Sequence, residues 1–88
     1  MLTEVTNADR AAWAVSALAG FAHETKVSDA EDALGDLITN LLHLANAIGL
    51  DPDHIATRSL AMMETEVAED GSGDMIAVQR DLLALFPD

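Results

Sequence analysis

Asp32, Asp36, Asn40 and His43 follow one another at intervals of four, four and three residues, which lines their side chains along one face of a helix. Two carboxylates one turn apart can hold a hard cation such as Mg²⁺, which takes one or two carboxylates and completes its shell with waters and substrate phosphate. A histidine two turns further on can serve as another ligand or as an acid–base group. Asp32, Asp36 and His43 are therefore the candidate metal residues. The competing reading is a solvated polar stripe opposite an apolar one, and it is the commoner situation because true sites are few in any protein.

Little else in the chain offers chemistry. His23 and His54 have no acidic partner set by spacing, and Ser16 and Ser59 have no neighbouring base to make a nucleophile of either. Gly71-Ser72-Gly73 lacks the lysine and the preceding strand of a phosphate-binding loop. Met62, Met63 and Met75 read as core filler. With no cysteine, disulfides and thiolate metal sites are excluded.

The elements that would position these residues are all helices. Four segments are expected, at about 7–23, 29–48, 52–69 and 74–86, within one domain spanning 1–88. Thr6-x-x-Asp9 marks the first start and Ser28-x-x-Glu31 the second, with His23 to Ser28 as the linker. Leu34, Leu37, Leu41, Leu44 and Ile48 alternate by three and four and predict the core stripe of the second helix. Gly49-Leu50 fits a left-handed stop followed by a hydrophobic contact. Asp51-Pro52-Asp53 restarts the chain at once, so the second and third helices should be antiparallel neighbours. The third helix is expected to bury Ala56, Leu60, Met63 and Val67. Glu64, Glu66, Glu69 and Asp70 crowd its C-terminal end, which should fray or meet a cation. Asp74 caps a last helix with Met75, Val78, Leu82 and Leu85 on one stripe, and Pro87 stops it. The Gly-Ser-Gly break before it allows packing within the chain or across to a neighbour.

The opening helix is unusual in being apolar nearly all round, with Ser16 its one polar side chain between Ala11 and Ala22. Ala11, Val15 and Leu18 form one stripe and Trp13 with Phe21 another, which predicts burial on more than one face. Of the 88 residues, 50% are hydrophobic, yet only one Trp and two Phe are aromatic, and alanine and leucine supply most of the apolar surface. A short chain with an alanine-rich core needs a staple, and with disulfides excluded a partner subunit is the natural one. The expected architecture is thus a small all-α four-helix bundle with an antiparallel central pair, dimeric through Ala11, Trp13, Val15, Leu18 and Phe21.

A formal net charge of −12, from 16 acids against 4 basic residues, repels phosphate backbones and argues against direct nucleic-acid binding. It favours divalent cations and basic protein surfaces, or serves solubility alone. No basic segment precedes an apolar stretch at the start, and Ala11–Ala22 is too short to span a bilayer. A cytoplasmic protein without membrane contact is the expectation.

From Glu31 to Asp51 the chain reads Glu-Asp-Ala-Leu-Gly-Asp-Leu-Ile, then Leu-Leu-His-Leu-Ala, then Ile-Gly-Leu-Asp. This stretch resembles the second half of the MazG-like nucleoside triphosphate pyrophosphohydrolases. The resemblance implies an all-helical, Mg²⁺-dependent, oligomeric enzyme with sites near subunit contacts. Asp36 matches that family's aspartate and Gly35 the glycine before it, while Ala33 stands where the family has a glutamate. The first helix lacks the family's Glu-x-x-Glu pair, and Met62, Met63 and Glu64 occupy the region of its later basic residues. Glu31 and Asp32 are displaced by about 200° and 100° around the helix and do not substitute for the missing ligand. Asp36, Leu37, Ile38, Asn40, Leu41 and His43 also resemble a pattern of small helical proteins frequent in phages and mobile elements.

Three functions are consistent with these features. The first is a non-catalytic, self-associating interaction module on a MazG-like scaffold, presenting acid to a basic protein partner and needing no cofactor. The second is an Mg²⁺-dependent pyrophosphohydrolase with a reduced ligand set. The third is an acidic mimic of nucleic acid that blocks a basic groove on a defence or regulatory protein.

Overall fold

Every helix opens on a short polar side chain that accepts from the otherwise unpaired first-turn N–H groups. Thr6 Oγ1 accepts from the Asp9 N–H at 3.1 Å, while the Asp9 carboxylate accepts from the Thr6 N–H at 2.9 Å, closing a reciprocal capping box. Asp29 accepts from the Asp32 N–H at 3.0 Å, and Asp74 from the Ala77 N–H at 3.0 Å. Asp51 accepts from both the Asp53 and His54 N–H groups, at 3.0 and 3.4 Å, ahead of Pro52. In the computed structural model, which describes residues 5–69 and 73–87, these caps open α1 (Asn7–Thr25), α2 (Ala30–Ala47), α3 (Pro52–Ala68) and α4 (Met75–Leu85). The described residues contain helices and no strand. Replacing Asp51 by alanine removes the one carboxylate oxygen that accepts both bonds and is expected to cost about 1–2 kcal/mol, read as a lower urea midpoint with unchanged slope.

Two boundaries differ from the sequence expectation. The cap of α2 is Asp29 rather than Ser28, because a carboxylate one residue later accepts the same first-turn bond equally well. The first helix runs on through His23 to Thr25, and Lys26 closes it in a left-handed conformation (φ 64°) with its N–H on the Ala22 carbonyl at 2.8 Å. Without a glycine there, the stop had no visible marker. The end of α2 is as expected. Gly49 takes φ 86°, its N–H bonds the Asn46 carbonyl and the Leu50 N–H bonds the Ala45 carbonyl at 2.9 Å, the paired bonds of a Schellman stop. Leu50 itself stays about half in water, at 52% exposure.

The core is small. Leu18, Ala33 and Phe86 are closed in, with Phe21, Ala22, Val27, Ala30, Leu37, Leu82 and Leu85 packed around them. Thus α1 packs on α4 and on α2, and α2 packs on α3. The last helix folds back on its own chain. It does so partly through Phe86, which leaves the helical stripe at the non-helical cap (φ −132°, ψ 79°) and turns its ring into the core. Gly73 seats this return. It holds φ 71°, and a Cβ there would lie 2.8 Å from Thr6 Cβ and 2.9 Å from the Cβ of buried Ala8. Gly73→Ala is expected to lose about 2 kcal/mol from combined backbone strain and overpacking, visible as a fall in thermal midpoint.

The expected core stripes of α2 and α3 are overturned. Leu34, Leu41, Leu44 and Ile48 are exposed, and of that stripe only Leu37 is partly covered. Ala56, Leu60, Met63 and Val67 are exposed too, and α3 buries no residue fully. The fully buried residues of α2 are instead two small ones, Ala33 and Ala45, which flank that stripe around the helix. Small residues let helix axes approach closely, and Ala33 packs in one cluster with Leu18 of α1 and with Phe86, while the larger side chains of the stripe stay partly in water. One chain therefore does not close a four-helix bundle around a common core. A compact domain of this length has a radius of gyration of about 12 Å; here it is 14.4 Å.

The acidic end of α3 meets a cation from its own chain. Arg10 Nε lies 3.1 Å from the Glu66 carboxylate, its guanidinium also donates to Asn7 Oδ1 at 2.8 Å, and the Asn7 amide donates to the Glu66 carbonyl at 3.2 Å. That carbonyl belongs to the last turn, where a helix runs out of its own N–H donors. The ion pair is partly exposed, so the tie serves more to place α3 against the start of α1 than to stabilise it strongly. The expectations for Asp70 and for the Gly71-Ser72 break lie outside the described residues.

Candidate functional site

Asp32, Asp36 and His43 are all exposed and share the polar face of α2. Thr39 lies between Asp36 and His43, its hydroxyl donating to the Gly35 carbonyl at 2.9 Å. His43 lines an open depression of about 350 Å³ with Thr39, Leu42, Asn46 and Pro52, and neither aspartate reaches it. Among the described residues, no group of three or more His, Asp or Glu side chains comes together to hold a metal ion. Nor does any buried polar side-chain atom lack a partner, the usual mark of a missing ligand. The three residues share a surface, but His43 does not join the two aspartates in one cluster.

The five residues of α1 expected at a subunit contact divide. Leu18, 1% exposed, sits in the chain's own core and Phe21 packs beside it. Ala11 and Val15 are half-buried. Trp13 stands out from the surface, 64% exposed.

The larger uncovered surface is elsewhere. Along α2 and its stop, Leu34, Ile38, Leu41, Leu44, Ile48 and Leu50 are all exposed, and Leu60, Met62, Met63 and Val67 extend the same character along α3. Between the two helices runs a groove of about 430 Å³ walled by Ile38, Leu41, Ile55, Leu60 and Met63, with Ser59 its one hydroxyl. Monomers scatter single apolar residues over their surfaces, but a contiguous run of this kind marks a contact region. From Leu37 to Leu50 the chain has no Asp, Glu, Lys or Arg, although it carries 16 acids in all. The signal is present in the sequence as the α2 leucine stripe, whose spacing by itself predicts an interior face.

Fold and surface together define an open all-α domain of four described helices whose central hairpin carries an uncovered, uncharged apolar face. No described helix is long and apolar enough to cross a membrane. No protein-family model matches the chain, and neither curated proteins nor solved structures give a match.

Proposed function

We propose that this chain is a non-catalytic helical interaction module that works as a self-associated assembly, on a MazG-like scaffold, and offers its acidic exterior to a basic protein surface. The observation that supports it most is the apolar face of α2 and α3 that its own helices leave in water. Apolar surface removed from water stabilises by about 25 cal/mol per Å², so a face of this extent favours association. Acid dominates the remainder of the chain, which suits a basic partner approached through long-range attraction. The scattered placement of Asp32, Asp36 and His43 favours binding over phosphoryl chemistry, which depends on converging ligands.

Sedimentation equilibrium from low to high micromolar concentration tests the reading. A reversible assembly of two or more chains is expected, together with no hydrolysis of nucleoside triphosphates in Mg²⁺. A chain that stays single throughout, or an Mg²⁺-dependent hydrolysis that Asp36→Ala abolishes, contradicts it.

A further inference from the structure

We infer that the α2–α3 face is where a second copy of this chain docks, hairpin against hairpin, so that two copies complete the four-helix bundle that one leaves open. The inference rests on the self-association proposed above and assigns it a surface, one centred on Leu41 and Leu60 rather than on α1. Three observations select this face and this occupant.

The first is area. A folded monomer of 9.3 kDa exposes about 5,000 Å² by the usual scaling with mass, whereas this chain exposes 6761 Å². The excess, on the order of 1,800 Å² summed over the whole chain, leaves room for an interface of at least the standard size of roughly 800 Å² per partner, and most of the exposed large hydrophobic residues lie on the α2–α3 hairpin. The second is shape. The face is two antiparallel helices with large aliphatic side chains flanking a groove between them. That is half of an antiparallel bundle, and an identical half supplies matching ridges, as a two-fold interface requires. The same apolar character over both helices gives the self-complementarity that a contact of one patch with itself needs.

The third is charge. A chain at −12 repels its own copies unless the touching surfaces are neutral. Residues 37–50 are free of acidic and basic side chains other than His43, and between Ile55 and Met63 only Arg58 is charged. Most acids of the hairpin lie at its open end, with Glu31, Asp32 and Asp36 on α2 and Glu64, Glu66 and Glu69 at the end of α3, against Asp51 and Asp53 at the turn. The two hairpins therefore run in opposite directions, which sets those acidic ends at opposite extremes of the bundle. An occupant drawn by charge would be directed to the acids and away from this face.

The test is association of the full chain and of charged or cysteine variants at exposed positions. Wild type should associate, and added salt should tighten the assembly by screening like charge, the opposite of the response of an acid–base contact. Leu41→Glu and Leu60→Glu should each weaken it about 30-fold or more, the size expected of a central contact residue, with circular dichroism unchanged because both positions are exposed in the single chain. Trp13→Glu should leave it intact. Since the chain has no cysteine, Leu41→Cys should give a disulfide-linked dimer on mild oxidation. Leu34→Cys should not, because reversed hairpins hold those positions apart. If wild type associates but Leu41→Glu and Leu60→Glu associate equally well, or only Trp13→Glu dissociates it, the assigned face is wrong and self-association stands. Efficient linkage of Leu34→Cys to itself would overturn the reversed orientation. A wild type that remains single, with the face open to a different protein, overturns both the surface assignment and the self-association on which it rests.

Discussion

Phe86→Ala is expected to destabilise the fold by about 3–5 kcal/mol, the usual cost of emptying a buried aromatic site. The whole stability of a domain this long is about 4–13 kcal/mol, so the variant should be largely unfolded or retain only a narrow margin. The size follows from what Phe86 does. It is 6% exposed, belongs to the core with Leu18 and Ala33, and is the one aromatic ring fully enclosed among the described residues. It also anchors α4, whose other contributions, Leu82 and Leu85, are only partly covered. Without the ring, α4 loses its deepest hold on α1 while the flanking Gly73 seat remains. Urea unfolding followed by circular dichroism measures the loss, and the slope should fall as well if α4 detaches before the other helices. A loss below about 1 kcal/mol, the level of an ordinary surface substitution, would mean that the return of α4 is not what closes the core.

Leu18→Ala should cost about 2–5 kcal/mol, and the loss should belong to the folding of the chain itself. Leu18 is 1% exposed, the largest side chain so completely enclosed, between the helices that pack on α1. In a self-associating protein the apparent stability rises with concentration, by about 1.4 kcal/mol for each tenfold change. Unfolding at two concentrations therefore separates the roles. A core residue lowers stability at both and leaves their difference unchanged, whereas a subunit contact would reduce the difference. Because Leu18 and Phe86 share one cluster, the double variant should depart from additivity by about 0.5–3 kcal/mol.

The two substitutions concern residues that the sequence treats very differently. Leu18 is legible as buried, since it lies on a heptad-spaced stripe, but the stripe cannot say whether its cover comes from the same chain. Phe86 is barely legible. It follows the periodic part of α4, next to Pro87, where helical spacing no longer predicts direction, and only the turned cap brings its ring inward. The candidate metal residues show the same limit. Spacing put Asp32, Asp36 and His43 on one face of α2, where they are, but a shared face is not a pocket. Among the described residues, no third acid or histidine joins the two aspartates in a cluster.

The four helix starts were written in the chain itself. A cap is a bond between a side chain and a backbone group two or three residues away, so Thr6, Asp51 and Asp74, and the glycine stop at Gly49, act whatever the rest of the molecule does. All-helical character and the α2–α3 hairpin follow from these signals. Which apolar residues face inward was decided only in three dimensions. The apolar face of α2 carries both Ala33 and the leucine stripe, and periodicity predicts that all of it is covered. Close approach of α1 instead selected Ala33, the one fully enclosed residue of α2, and left Leu41 at 54% exposure. Packing is a property of two surfaces together. A single sequence records that a surface is apolar, while the distance at which another helix can approach determines whether it becomes interior.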